Sequence, residues 1–255
     1  MNGAFYIGAV GLDAQQRALD VVANNIANMN TTAFKRSAVQ FSELVAPMRD
    51  GADMPVLPRD SIAALGGAVA DTTGHVWTIG ALRQTGQSLD VAIDGDGFIE
   101  VLGPTGHSLL WRGGTLAVGA DGTLTTAEGV PLRAMISVPQ AATGLTIAKD
   151  GTVTATVDGA SQKLGQIDLA MAKSPNDLVD DGSGYYEATD SSNVTSVRPG
   201  EEGSGMLIQG SLEASNVQLS DEMTSLLLVQ RAYAANAEVV QAGDQLMSIV
   251  NGLRH

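Results

Sequence analysis

Asp90, Asp94 and Asp96 come nearest, in type and spacing, to a chemical site in this chain. Three carboxylates within seven positions could hold Ca²⁺ or share a proton for acid–base work. Their spacing does not fit an EF-hand loop, and Asp94-Gly95-Asp96-Gly97 reads as a turn between strands. His75, His107 and His255 are isolated in sequence, and none falls in a metal-ligand pattern. Gly95 and Gly97 do not open a dinucleotide fingerprint, because no helical pattern follows them. The serines before residue 90 lack the strand–turn–helix setting of a nucleophile elbow. Without cysteine, disulfides, thiolate catalysis and cysteine metal sites are excluded. No catalytic residue, metal or cofactor is expected, so the chain does not read as an enzyme.

The charge balance narrows the partners. Fourteen Lys and Arg stand against 28 Asp and Glu, a net charge of −14 and a pI near 4.4. Such a polyanion is repelled by phosphate backbones, so nucleic acid is not an expected partner. The 255 residues allow one or two domains; apolar content of 44% supports a core, and 30 glycines imply many turns. No apolar run approaches the ~20 residues of a membrane span. The first basic residue is Arg17, so the opening residues lack the charged start of a secretory signal. Export, if it occurs, is expected by a route that reads no such signal.

The elements that organise the chain lie at its ends. Leu212, Leu219, Leu226, Tyr233, Val240 and Met247 recur every seven residues, with Val229, Asn236 and Val250 three positions after three of them. This is the seam of a helix built to lie against another helix. It predicts a helix over 217–251, about 50 Å long at 1.5 Å per residue, with Ser215 or Asn216 as N-cap. At the other end Phe5, Leu12, Leu19 and Ile26 also recur every seven, within a Pro-free run from Gly3 to Asn28. That helix is expected to stop at Asn28-Met29-Asn30-Thr31-Thr32, where short polar side chains compete for the backbone. Ala23, Ala27, Ala232, Ala234, Ala235 and Ala237 leave narrow faces suited to close packing, and Asn236 sits in the seam, where an amide can fix register. One reading is a private antiparallel hairpin; the other is that these ends order when many copies pack together.

Between the helices, 31–45 reads as a turn and a short amphipathic piece carrying Phe34, Phe41 and Leu44. Pro47, Pro55, Pro58 and several glycines make 46–80 extended and poorly helical, although Val69, Val76, Trp77 and Ile79 could pair as a strand. Residues 81–210 read as all-β. Apolar or β-branched runs at 89–93, 98–102, 109–111, 116–118, 124–126, 134–138, 145–148, 153–157 and 166–172 alternate with Asp-Gly turns at 94–97, 121–122, 150–151 and 158–159. Residues 180–205 read as an exposed, partly mobile loop. The expected fold is therefore α+β: N- and C-terminal helices pairing in a coiled-coil-like core (1–45 and 211–255), an extended stretch (46–80) and a central all-β domain (81–210).

Three motifs carry a family resemblance. Ala23-Asn24-Asn25-Ile26-Ala27-Asn28-Met29-Asn30-Thr31-Thr32-Ala33-Phe34-Lys35-Arg36 resembles the N-terminal signature of bacterial flagellar rod and hook proteins, with Ala33 where that family usually carries Gly. Leu89-Asp90-Val91-Ala92-Ile93-Asp94-Gly95-Asp96-Gly97-Phe98 resembles the opening of their β domain. Gln209-Gly210-Ser211-Leu212-Glu213-Ala214-Ser215-Asn216-Val217, followed by Val229-Gln230-Arg231-Ala232-Tyr233, resembles their C-terminal segment. Length and the segment before Leu89 resemble the distal-rod members; Gly80-Ala81-Leu82-Arg83-Gln84-Thr85-Gly86 also resembles the proximal-rod members, the alternative.

The resemblance implies a structural subunit that self-assembles into a hollow helical drive shaft in the basal body, spanning the periplasm to the outer membrane. It implies as partners many copies of the chain, neighbouring rod and hook subunits, the P- and L-ring proteins and the flagellar type III export machinery. The expected subunit-packing residues are Phe5, Leu12, Leu19, Ile26, Asn28, Phe34, Leu219, Leu226, Tyr233, Asn236, Val240 and Met247. A ligand-binding β protein and a trimeric coiled-coil fibre are the rival classes. They would differ in ligand binding by 81–210 and in forming a discrete oligomer.

Overall fold

The computed structural model describes residues 2–43, 68–104, 106–182, 184–190 and 193–252. Most of the extended stretch expected at 46–80 lies outside these residues. The chain divides into two units, each built from separated segments. The helical unit draws on Met1–Ala27, Ser37–Val76 and Gln218–His255; the β unit draws on Asn28–Arg36 and Trp77–Val217.

The helical unit holds α1 (Asn2–Ala27), β1 (Ser37–Glu43), β2 (Ala68–His75) and α2 (Leu219–Gly252). Both helices fall where the seven-residue repeats and the absence of proline place them. They run antiparallel within one chain: Gly8 faces Val240, Gly11 faces Asn236, and Asn25 meets Glu222. A β-carbon on Gly8 would sit 2.5 Å from the Val240 side chain, so the close approach depends on glycine. The buried face of α1 is Ala14, Ala18, Val22 and Asn25, spaced four, four and three. Leu12, Leu19 and Ile26 lie on a neighbouring face and stay half-buried. The amphipathic piece expected after α1 is instead a strand. β1 pairs antiparallel with β2, and Asn25 offers the Ser37 backbone both an acceptor and a donor at 2.9 Å, as a neighbouring strand would.

The β unit opens with β3 (Leu82–Gln84), β4 (Asp90–Asp94), β5 (Phe98–Leu102), β6 (Ser108–Trp111), β7 (Gly113–Val118) and β8 (Leu124–Thr126). It continues through β9 (Ala142–Ile147), β10 (Thr152–Val157), β11 (Ala160–Gln166), β12 (Leu169–Ala172), β13 (Leu178–Gly182) and β14 (Tyr185–Ala188). It closes with β15 (Val194–Val197), β16 (Met206–Gln209) and β17 (Ser211–Glu213). Four sheets result, with strand orders β16-β4-β7-β8, β13-β14-β6-β5-β12-β15, β11-β10-β9 and β17-β3. Side chains alternate across the six-stranded sheet. Ile99, Leu109, Trp111, Leu169 and Tyr185 enter the main core beside Val91, Ile93, Leu116, Leu124, Val153 and Leu207. Their sequence neighbours Phe98, Leu110, Ala170 and Tyr186 enter a second core that Trp77 helps to cover. There Trp77, Phe98 and Tyr186 pack edge to face, with Trp77 centroids 5.3 Å from Phe98 and 4.9 Å from Tyr186.

Asp121-Gly122, Asp150-Gly151 and Asp158-Gly159 lie in the hairpins β7–β8, β9–β10 and β10–β11. Asp158 and Gly159, at φ 52° and 80°, make a two-residue loop whose left-handed backbone matches strand twist. Asp94-Gly95-Asp96-Gly97 differs: β4 and β5 lie in different sheets, so the sequence turns a corner rather than a hairpin. Residues 134–138 form no strand, only a bridge from Thr123 to Ser137. The run expected at 166–172 breaks after Gln166, because β11 pairs with β10 while β12 pairs with β5 and β15. The loop expected over 180–205 contains β14, β15 and most of β13, recruited by distant partners: β14 by β6 and β15 by β12.

Candidate functional site

Of the three clustered carboxylates, Asp90 serves the fold. Buried Asp90 accepts hydrogen bonds from the Thr85 hydroxyl at 2.5 Å and the Thr115 hydroxyl at 2.7 Å, while Asp94 and Asp96 face solvent. His75 lies 3.4 Å from the Ser37 hydroxyl, and exposed His107 lies 3.5 Å from Glu187. His255 lies outside the described residues. An open groove of about 910 Å³ runs past Glu100, His107, Arg133, Asp168 and Glu187, with Arg133 and Glu100 paired at 2.8 Å. Among the described residues, no hydroxyl in the groove is hydrogen-bonded to His107, Asp168 or Glu187.

The arrangement that stands out is a buried charge cluster within the β unit. Glu213, the last residue of β17, accepts from the Lys35 ammonium at 2.6 Å through one carboxylate oxygen and from the Arg112 guanidinium at 3.0 Å through the other. The three side chains are 1%, 1% and 4% exposed for Lys35, Glu213 and Arg112. The Gly80 amide also donates to Glu213, at 2.8 Å, and Lys35 donates to the Thr78 carbonyl at 2.9 Å. Arg112 also donates from its two terminal nitrogens to the carbonyls of Gly97 and Gly95, which helps to hold the Asp94–Gly97 corner together with the Gly205 amide on the Asp96 carbonyl. Burial pushes the Lys35 ammonium below its ordinary value of 10.5; adjacent Glu213 pulls the other way and Arg112 adds to the lowering.

Around this cluster the backbone is tied as tightly. The Ala33 amide donates to the Glu213 carbonyl, and the Asn216 amide donates to that of Phe34. The Asn216 side chain does not cap α2, which begins at Leu219. Instead it accepts from the Arg36 amide at 2.7 Å and donates to the Thr78 carbonyl at 3.0 Å. Ala33 sits at φ 58°, a left-handed backbone adopted by a residue with a β-carbon. The chain enters or leaves the β unit next to residues 28, 36, 77 and 217. The segments 33–36, 78–81 and 213–216 therefore bind to one another where the chain passes.

Gly80 is the least forgiving position in this node. A β-carbon there would lie 1.9 Å from the Ala214 carbonyl oxygen. Gly80→Ala must separate the two segments and lengthen the bond to Glu213. A loss of about 1–3 kcal/mol, the usual cost of overpacking, is expected. The urea midpoint read by tryptophan fluorescence checks it.

The second candidate surface is α2. Met223, Leu227, Leu228, Val239 and Ile249 are all exposed large apolar side chains. Leu227 and Leu228, 58% and 62% exposed, are adjacent in sequence and so point about 100° apart. The exposed apolar surface is therefore a broad face rather than one narrow stripe, interrupted by exposed Gln230, Arg231, Glu238 and Gln241. Of the seam residues, Val240 and Asn236 meet the glycines of α1, Leu226 is half-buried, and Leu219 and Tyr233 are 42% and 40% exposed. Asn28 and Phe34 belong to the β unit, both half-buried. The side chains of Phe5 and Met247 lie outside the described set.

Comparison with known proteins brings the same segments together. Residues 5–35 match the family described as Flagella basal body rod protein, 92–155 the Flagellar hook protein FlgE/F/G D1 domain, and 208–253 the Flagellar basal body rod FlgEFG protein C-terminal. Each matched segment supplies one charge of the buried cluster: Lys35, Arg112 and Glu213. The flagellar basal-body rod protein FlgG of Caulobacter vibrioides is 35% identical over 98% of this chain and 99% of its own length. FlgG of Borreliella burgdorferi is 32% identical over 100% and 99%. FlgF of Caulobacter vibrioides is 31% identical over 94% and 93%.

Proposed function

The chain belongs to the flagellar basal-body rod proteins, and from that premise we propose that it is a structural subunit of the distal rod. Copies stack through their terminal helices, in coiled-coil-like packing, into a hollow helical shaft that carries torque from motor to hook. The observation that carries this reading is α2. With α1 packed at Asn236 and Val240, α2 still exposes Met223, Leu227, Leu228, Val239 and Ile249, a broad apolar face that further helices would cover. Leu12, Leu19 and Ile26, half-buried on α1, are the complementary ridge, and open-ended growth follows from contacts that do not close on themselves.

In this reading residues 1–45 and 211–255 make the shaft core, 46–80 braces neighbouring copies, and 81–210 forms the outer layer. The role is mechanical and uses no cofactor. The partners are further copies, adjacent rod and hook subunits, the P- and L-ring proteins, and the type III export machinery that delivers the chain. The site of action is the basal body from the periplasm to the outer membrane. Basal bodies imaged from cells lacking the gene should carry rods that stop short and bear no hook; complete rods would refute the assignment. In purified monomer, α2 amides should exchange faster than those of the β-unit core and gain protection on polymerisation.

A further inference from the structure

We propose that the Lys35–Glu213–Arg112 cluster is a latch that shuts last in folding, leaving the β unit open at its chain entries until the segment around Glu213 arrives. The latch would act within the single chain, before any assembly.

Glu213 reaches its partners across long stretches of sequence: 178 residues to Lys35, 133 to Gly80 and 101 to Arg112. Such contacts form only after the intervening chain has been closed into loops. The strand that carries it has little apolar drive. β17 is three residues long and pairs with β3, whose residues are all exposed. The strand before it is different: β16 pairs with β4 and brings fully buried Leu207 into the main core. Hydrophobic collapse therefore recruits β16, whereas β17 docks on charge.

The cations set the order. Until Glu213 is in place, Lys35 and Arg112 lack their counter-charge, and an isolated cation stays in water rather than enter a nonpolar interior. Segments 33–36 and 78–80 then remain solvated, because their ties converge on Glu213, on Lys35 or on Asn216, which arrives with Glu213 on the same segment. A chain whose C-terminal segment is held back thus keeps a formed core and loose entries. Delivery of Glu213 neutralises the site and fixes all three segments together.

The test uses the full-length chain refolding from urea. In wild type, pulse-labelled amide exchange should show Leu124 and Ile167, bonded inside the core, protected in an earlier phase than Gly80 and Ala33. Glu213→Gln should raise the unfolding rate about tenfold and leave refolding within about twofold, the pattern of a contact absent from the transition state. If Gly80 and Ala33 gain protection together with Leu124, or refolding slows by the whole factor, the latch is refuted. Should Glu213→Gln fail to fold, the labelling of wild type decides alone.

Discussion

Glu213→Ala is expected to lower the urea midpoint of the β unit strongly and to strip amide protection from Gly80 and Ala33 while Leu124 in the core stays protected. The substitution strands two cations whose side chains are 1% and 4% exposed, and takes the acceptor from the Gly80 amide. Breaking a buried ion pair by removing one partner costs about 3–5 kcal/mol, a large part of the roughly 5–15 kcal/mol that holds a typical domain together. Lys35→Met should differ sharply. It leaves Glu213 paired with Arg112 and Gly80, and the Thr78 carbonyl keeps its bond from Asn216. A change within about 1 kcal/mol is expected, because the desolvation of the ammonium disappears with it.

The pH dependence follows the same logic. Burial sets the folded value of Lys35 below 10.5, so between the two values the unfolded chain holds the extra proton. The contribution of Lys35 to stability therefore rises with pH through that window. The Tyr186 phenol, pushed up from 10.0 by burial, works the opposite way once the unfolded tyrosine ionises. The difference between wild type and Lys35→Met in urea midpoints across the window isolates the lysine. A rise confined to wild type is the expected result.

Leu228→Asp should abolish assembly while leaving the monomer intact. At 62% exposure Leu228 touches little in the single chain, so the folded monomer should melt within about 0.5 kcal/mol of wild type. In a shaft the same position would bury a carboxylate among apolar neighbours, once per copy, at a cost of several kcal/mol each. Swimming in soft agar should be lost and rods absent from basal-body preparations. Normal motility with a normal melting curve would contradict the covered-helix reading of α2. Leu226 is a poorer choice, since its half-burial mixes folding with assembly.

The contrast between these sites shows which parts of the molecule the amino-acid order makes legible. The two helices were readable because an apolar repeat without proline is a local signal, and both lie where that signal puts them. Three Asp-Gly pairs read correctly as hairpin turns for the same reason. The fourth, at 94–97, uses the same residues for a corner between sheets, fixed by an arginine 15 to 17 residues away. β13 to β15 hide among Gly, Asp and Ser because distant strands recruit them, not their own composition. The buried cluster left only a faint trace: Lys35, beside Arg36, and Glu213, the one charge in 209–217, inside otherwise recognisable motifs. Nothing local pairs a lysine with a glutamate 178 positions later. The face of α1 turned inward was equally hidden, since Gly8 and Gly11 set the approach of α2 more than the leucines do.

The repeated passage of the chain through three mutually bonded segments bears on how the molecule would respond to a protease. A nick at any single passage leaves three covalent passages and the hydrogen bonds among 33–36, 78–81 and 213–216. Fragments produced by one cut are expected to stay joined until denaturant separates them. Separation needs several cleavages, a redundancy suited to a structural part of a rod.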